Sequence, residues 1–129
     1  MANQFVVELK NEPGALANLA ETLASRGIDL RAIGGGGIGN SGHIIMTTAD
    51  DDGARRVLEE GGYTFIEGES ILTEVDDRPG GMARLSRELA DAGVNIYGHL
   101  FLGRWGDRAM FAFVVDDPEK ARPILERKG

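Results

Sequence analysis

The chain repeats itself, and that constrains its fold more than any other feature. With Pro13 set on Pro79, an offset of 66 residues, Gly14 falls on Gly80, Leu16 on Met82, Ala17 on Ala83 and Leu19 on Leu85. The match runs on through Leu23 on Leu89, Ala24 on Ala90 and Gly27 on Gly93, and closes with Ile28 on Val94, Asp29 on Asn95 and Leu30 on Ile96. Upstream, Phe5, Val7 and Leu9 fall on Ile71, Thr73 and Val75. Ala54 and Leu58 match Ala121 and Leu125 at an offset of 67, so one residue is added between, expected in a loop. The duplication divides the chain into units 1–69 and 70–129. A unit of roughly 60 residues buries only about 60% of its unfolded surface and is marginal alone, so a homodimer is expected.

Each copy reads the same way. Phe5 to Leu9 alternates with the period of a half-buried strand. Asn11 stands where a helix N-cap belongs, and Pro13 suits a first turn. Leu16, Leu19 and Leu23 form one apolar helical stripe that Gly27 ends. Strands are expected at Leu30 to Ile33 and His43 to Thr48, around a pliable glycine-rich hairpin. Asp50 to Asp52 caps a second helix carrying Val57 and Leu58, Gly61-Gly62 stops it, and Tyr63 to Ile66 returns as a strand. The second copy follows suit from Ser70 to about Arg127, with Trp105-Gly106-Asp107 as its hairpin turn. The expected class is α+β: two ferredoxin-like βαββαβ units with antiparallel sheets. After Leu125 the second copy has no room for its final strand, and Pro123 interrupts its last helix. Its first strand is therefore expected to keep an open edge, which invites pairing.

Composition excludes several functions. Absence of cysteine removes disulfides, thiolate nucleophiles and zinc–cysteine sites. A net charge of -7 disfavours direct nucleic-acid binding, which needs clustered Lys and Arg against phosphate. No apolar run is long enough to span a bilayer and no leader pattern precedes the first strand, so the expected location is the cytoplasm, with no membrane partner.

Several motifs resemble chemistry without completing it. The run Gly34-Gly35-Gly36-Gly37-Ile38-Gly39 lacks the following Lys-Ser or Lys-Thr of a phosphate loop and opens no helix. His43 and His99 have no carboxylates at metal-ligand spacing. Asp50-Asp51-Asp52 and Asp116-Asp117 precede expected helices, where carboxylates favour the terminus. Ser41, Ser70 and Ser86 have no base that the sequence can place beside them. No catalytic group, metal site or cofactor is expected.

The informative residues are Asn11-Glu12-Pro13-Gly14 and Asp77-Arg78-Pro79-Gly80, each joining a strand to a helix. The first free amides of such a helix suit a carboxylate. Gly14 and Gly80 lack a Cβ that would obstruct a ligand, and Asp77 suits an ammonium group. The same residues also make an ordinary cap-and-turn combination, for which stability is a sufficient reason. Strand, then N-x-P-G-x-L, then a helix closing on G-I-D-L resembles the ACT domain; D-R-P-G-G-M through G-V-N-I resembles it too. The resemblance implies an amino-acid ligand, bound chiefly at interfaces between units. By position it implies ligand contacts from Asn11 and Asp29 in the first copy and from Asp77 and Asn95 in the second, with Gly14 and Gly80 admitting the ligand. Serine-sensing members carry an imidazole where this sequence has Leu9 and Val75, which departs from the serine pattern.

Three roles follow from the resemblance. One is a free-standing, non-catalytic amino-acid sensor. Another is a regulatory subunit of a biosynthetic enzyme: N-E-P-G-A-L resembles the small subunit of acetolactate synthase, whose second unit does not repeat the motif. The third is an accessory to a transcriptional regulator, acting through protein contacts.

Overall fold

A computed structural model describes residues 3–126. The chain divides into two compact units that meet between Gly68 and Glu69. The first runs β1 (Asn3–Lys10), α1 (Ala15–Ser25), β2 (Leu30–Ile38), β3 (Ser41–Thr48), α2 (Asp51–Glu60) and β4 (Phe65–Glu69). The second runs β5 (Ile71–Asp76), α3 (Gly81–Asp91), β6 (Ile96–Trp105), β7 (Arg108–Val115) and α4 (Pro118–Leu125). Among the described residues no helix is long and apolar enough to cross a membrane.

The first sheet has the order β2-β3-β1-β4, with β3 antiparallel to both β1 and β2. Alternate residues Phe5 and Val7 of β1 and Ile44 and Met46 of β3 bury one face of it beneath Leu19 and Leu23 of α1 and Ala54, Val57 and Leu58 of α2. Each such leucine removed from water contributes about 1.5–3 kcal/mol, and this single layer of contacts is the unit's core. Asp50 caps α2 by accepting the Gly53 amide at 3.0 Å. A fork of hydrogen bonds ties α2 to β4: Arg55 Nε and Nη2 donate to the two Glu67 oxygens at 2.7 Å each, and Asn3 Nδ2 adds a third bond at 2.8 Å. The Arg55 bonds hold the Glu67 carboxyl below its ordinary range, against the opposing effect of partial burial.

The second sheet has three strands among the described residues, in the order β5-β7-β6. Ile71, Val75, Phe113 and Val115 face Leu85 and Leu89 of α3 and Ala121 and Leu125 of α4. Where the first unit has Val7, the second has Thr73, whose buried hydroxyl donates to the Leu125 carbonyl at 2.6 Å. That bond satisfies one of the carbonyls a helix leaves free at its last turn. Asp117 caps α4 through the Lys120 amide, with Pro118 in the first turn and Pro123 inside the helix.

The structure corrects the reading at four points. The glycine run is strand, not pliable hairpin: β2 continues to Ile38, with Gly34, Gly35, Gly36 and Gly37 opposite Ile45, Ile44, His43 and Gly42. Close packing explains Gly35, where a Cβ would lie 2.3 Å from the His43 carbonyl oxygen, whereas a Cβ on Gly36 would meet nothing within 4 Å. The fourth strand begins at Phe65, because Gly61 caps α2 and Gly62 turns at φ 71. The added residue of the second copy is no loop insertion; it is Leu102, passed over where the β6–β7 register shifts between Phe101 and Gly103, a β-bulge. Finally, Asn11 is not the helix cap. Gly14 and Gly80 are the N-caps of α1 and α3, each at φ 90 and without a side-chain cap bond.

Two predictions follow from these contacts. Nothing lies within 4 Å of a Cβ built on Gly14 or Gly80, so the requirement for glycine there is conformational. G14A and G80A should each cost about 1–2 kcal/mol in urea unfolding, the penalty of left-handed backbone for an L side chain. The depressed Glu67 carboxyl stabilises the fold above the pKa it has when unfolded, and that stability is lost as pH falls through the folded value. E67Q should therefore lower the melting temperature at pH 7, and the gap from wild type should close as pH is taken down through the carboxylate range.

Candidate functional site

Both strand–helix corners are assembled by the same backbone bonds. The Asn11 amide donates to the Asn40 carbonyl at 3.1 Å, and the Asp77 amide to the Asp107 carbonyl at 2.8 Å, so each corner is tied to the hairpin turn of its own sheet. Tight turns follow, with Glu12 N–H on the Lys10 carbonyl at 3.0 Å and Arg78 N–H on the Asp76 carbonyl at 2.9 Å. The Ala15 amide is taken by the Glu12 carbonyl at 3.3 Å and the Gly81 amide by the Arg78 carbonyl at 3.1 Å. The next amides of α1, those of Leu16 and Ala17, belong to a first turn in which helix geometry provides no acceptor.

In the first unit a groove of about 460 Å³ opens at this corner. Its floor is the glycine strand Gly34 to Gly37, its walls are Leu9, Asn11, Leu16 and Ile33, and Glu12 and His43 also line it. The volume falls within the range of small-molecule sites. Leu16 and Ile33 are each 47% exposed, leaving apolar surface in the groove. Asn11 is held at the corner by donating its Nδ2 to the Gly39 carbonyl at 2.9 Å. It lies against Gly37, where a Cβ would come within 2.6 Å of its Cγ. Sequence reasoning singled out Asn11 but missed the floor, because four consecutive glycines have no periodicity.

The corresponding pocket in the second unit is smaller, about 330 Å³, and is lined by Val75, Asp77, Met82, Arg104, Ala109 and Phe111 among others. Asp77, expected to accept an ammonium group, instead accepts Arg104 Nε at 2.8 Å. The Arg104 guanidinium lies 4.7 Å from the centre of the Phe101 ring, which meets Phe111 edge-on at 5.5 Å.

Asp29 and Asn95 stand away from these corners, at the far ends of α1 and α3. An 11-residue helix is about 16 Å long. Asp29 pairs with Arg31 at 3.2 Å on an exposed surface, and its carbonyl accepts the Ala49 amide at 3.0 Å. The Asn95 amide donates to Asp116 Oδ1 at 2.9 Å, and its carbonyl accepts the Asp116 amide at 3.0 Å. Within a unit, therefore, the structure brings Asn11 to the groove and leaves Asp29 outside it; Asp77 and Asn95 are separated likewise. Among the described residues no group of three acidic or histidine side chains is arranged to hold a metal ion.

No family model matches the chain, and no curated protein matches it. Solved structures do. Protein BT0572 from Bacteroides thetaiotaomicron superposes with a TM-score of 0.71 at 22% identity, over 97% of this chain and 86% of that one. The regulatory subunit of aspartate kinase from Thermus flavus gives a TM-score of 0.65 at 20% identity, over 98% and 90%. That from Thermus thermophilus, in its ligand-free form, gives 0.61 at 22% identity, over 97% and 87%. At these identities the likeness is one of fold: the ACT-type fold implied by the two corner motifs is the fold the chain has, and it is shared with regulatory subunits of aspartate kinase.

Proposed function

We propose that the chain is a non-catalytic regulatory module whose first corner binds a free amino acid with an apolar side chain. The observation that carries this reading is the open groove over the glycine strand. Its lining combines a helix N-terminus for a carboxylate, the Asn11 amide, the Glu12 carboxylate for an ammonium group, and exposed Leu16 and Ile33 for an aliphatic side chain. The shared fold with regulatory subunits of aspartate kinase supports a regulatory role, with an enzyme as the partner that reads the ligand's effect. Such a ligand acts only through its difference in affinity between two states of the module. The small cores of the units and the edge position of β5 among the described residues support a homodimer.

Calorimetry against the common amino acids should find branched aliphatic ones binding more tightly than serine or lysine. N11A should weaken the tightest of them by about 1.5–3 kcal/mol, roughly ten- to a hundredfold. If N11A binds as wild type does, Asn11 only pins the turn; if no amino acid binds at millimolar concentration, the sensor reading fails. Sedimentation should show a dimer at micromolar concentration, and a stable monomer would remove that part of the proposal. Affinity purification from the native host should bring down an enzyme in stoichiometric amount; recovery of a transcriptional regulator instead would favour the accessory role.

A further inference from the structure

The two corners are equivalent in backbone and opposite in lining, which sheet register makes visible. In the first unit Leu9 pairs with Gly42, and Gly42 with Gly37. In the second unit Val75 pairs with Ala109, and Ala109 with Arg104. Two pairs further along, on the same face, Val7, Ile44 and Gly35 correspond to Thr73, Phe111 and Phe101. Arg104 therefore occupies the register position of Gly37, and Phe101 that of Gly35. The corner side chains change in step. Asn11 lies against Gly37, where a Cβ would press on its side-chain amide. Its counterpart Asp77 reaches across the same step of the sheet to Arg104 Nε at 2.8 Å. The guanidinium completes its surroundings on the Phe101 ring at 4.7 Å, an aromatic face that attracts a cation.

From this we infer that Arg104 is a built-in occupant of the second corner: its guanidinium takes the cation position on Asp77, so of the two corners only the first is open to an amino acid. The inference deepens the reading of the first corner as an amino-acid site and rests on it for the ligand count. The occupied cation position in the second corner rests on the second unit alone. Replacement of glycine by arginine and phenylalanine at matched positions narrows the corner, from about 460 Å³ to about 330 Å³, and sets a cation on its carboxylate. At the same time Asn at the corner is exchanged for Asp, which supplies the countercharge the arginine needs. An arginine 61% exposed on its side chain is removable without opening the core.

The test uses the full chain and methylguanidine as the probe. R104A leaves Asp77 without its cation, and millimolar methylguanidine should raise the melting temperature of R104A by a few degrees. It should leave wild type, already filled, and the double variant D77N/R104A, without the countercharge, unmoved. Equal shifts in all three proteins, or a shift in none, would overturn the inference. If R104A does not yield folded protein, R104Q carries the same comparison, since it keeps a polar side chain while removing the charge. Calorimetry with the tightest-binding amino acid should give one equivalent per wild-type chain; two equivalents would overturn the inference. If no amino acid binds wild type, the reading of the first corner falls, and the methylguanidine comparison still decides whether Arg104 fills a cation position.

Discussion

The left-handed glycine at the head of each first helix is the constraint on which the rest depends. Strand and helix in each unit must reverse direction within four residues while the apolar stripe of the helix lands on the apolar face of its own strand. At φ 90, Gly14 and Gly80 make that reversal with helix geometry beginning at the next residue. Leu19 and Leu23 then descend on Phe5 and Val7, and Leu85 and Leu89 on Ile71 and Val75. A residue with a Cβ would have room there but would strain the backbone, so the core and the corner are specified by the same torsion angle. This also explains why the corner repeats faithfully in two units whose pockets differ: the turn serves folding in both, whatever each does with a ligand.

Much of the fold was legible because hydrophobic spacing and duplication carry independent information. The stripe of α1, the caps Asp50 and Asp117, and the stops at Gly27 and Gly62 each have a local physical cause that is visible in the sequence. The second sheet has three strands among the described residues, fewer than the first, in line with the expectation for that unit. The glycine strand was not legible. Its pairing is imposed from outside by β3, and glycine signals flexibility when its partners are unknown. The Asn11 side chain suits a cap, but α1 begins behind Gly14, three residues further on, and Asn11 instead donates its Nδ2 to the Gly39 carbonyl of the hairpin turn.

The candidate site was legible only as a location. Position along the repeat led to Asn11, Gly14, Asp77 and Gly80, but it could not show that Asp77 is already neutralised, since Arg104 lies 27 residues away. The signal that would have found Arg104 was present in the repeat, at the offset of 67 that continues to Ala121. Applying it required placing the added residue before Arg104 rather than after it, and only strand pairing locates it at Leu102. The carry-over of Asp29 and Asn95 shows the opposite difficulty. They match a motif by count and lie a helix away from the corner of their own unit, so any contact they make with a corner ligand would come from another unit.

The bulge at Leu102 has a consequence for how such a pair of units diverges. In a regular strand, residues three apart point to opposite faces. Phe101 and Arg104 lie three apart and still share a face, because the register passes over Leu102. Deleting that one residue would leave Phe101, Gly103 and Arg104 in unbroken alternation opposite Phe111, Met110 and Ala109, the register that Gly35, Gly36 and Gly37 hold in the first unit. A duplicated gene can therefore gain or lose a codon inside this strand without turning the side chains beyond it, and the character of the corner is set by which residues stand at the two matched positions. Length variation within a strand, usually counted as damage, is absorbed here, which leaves the divergence of two sibling domains to point substitution.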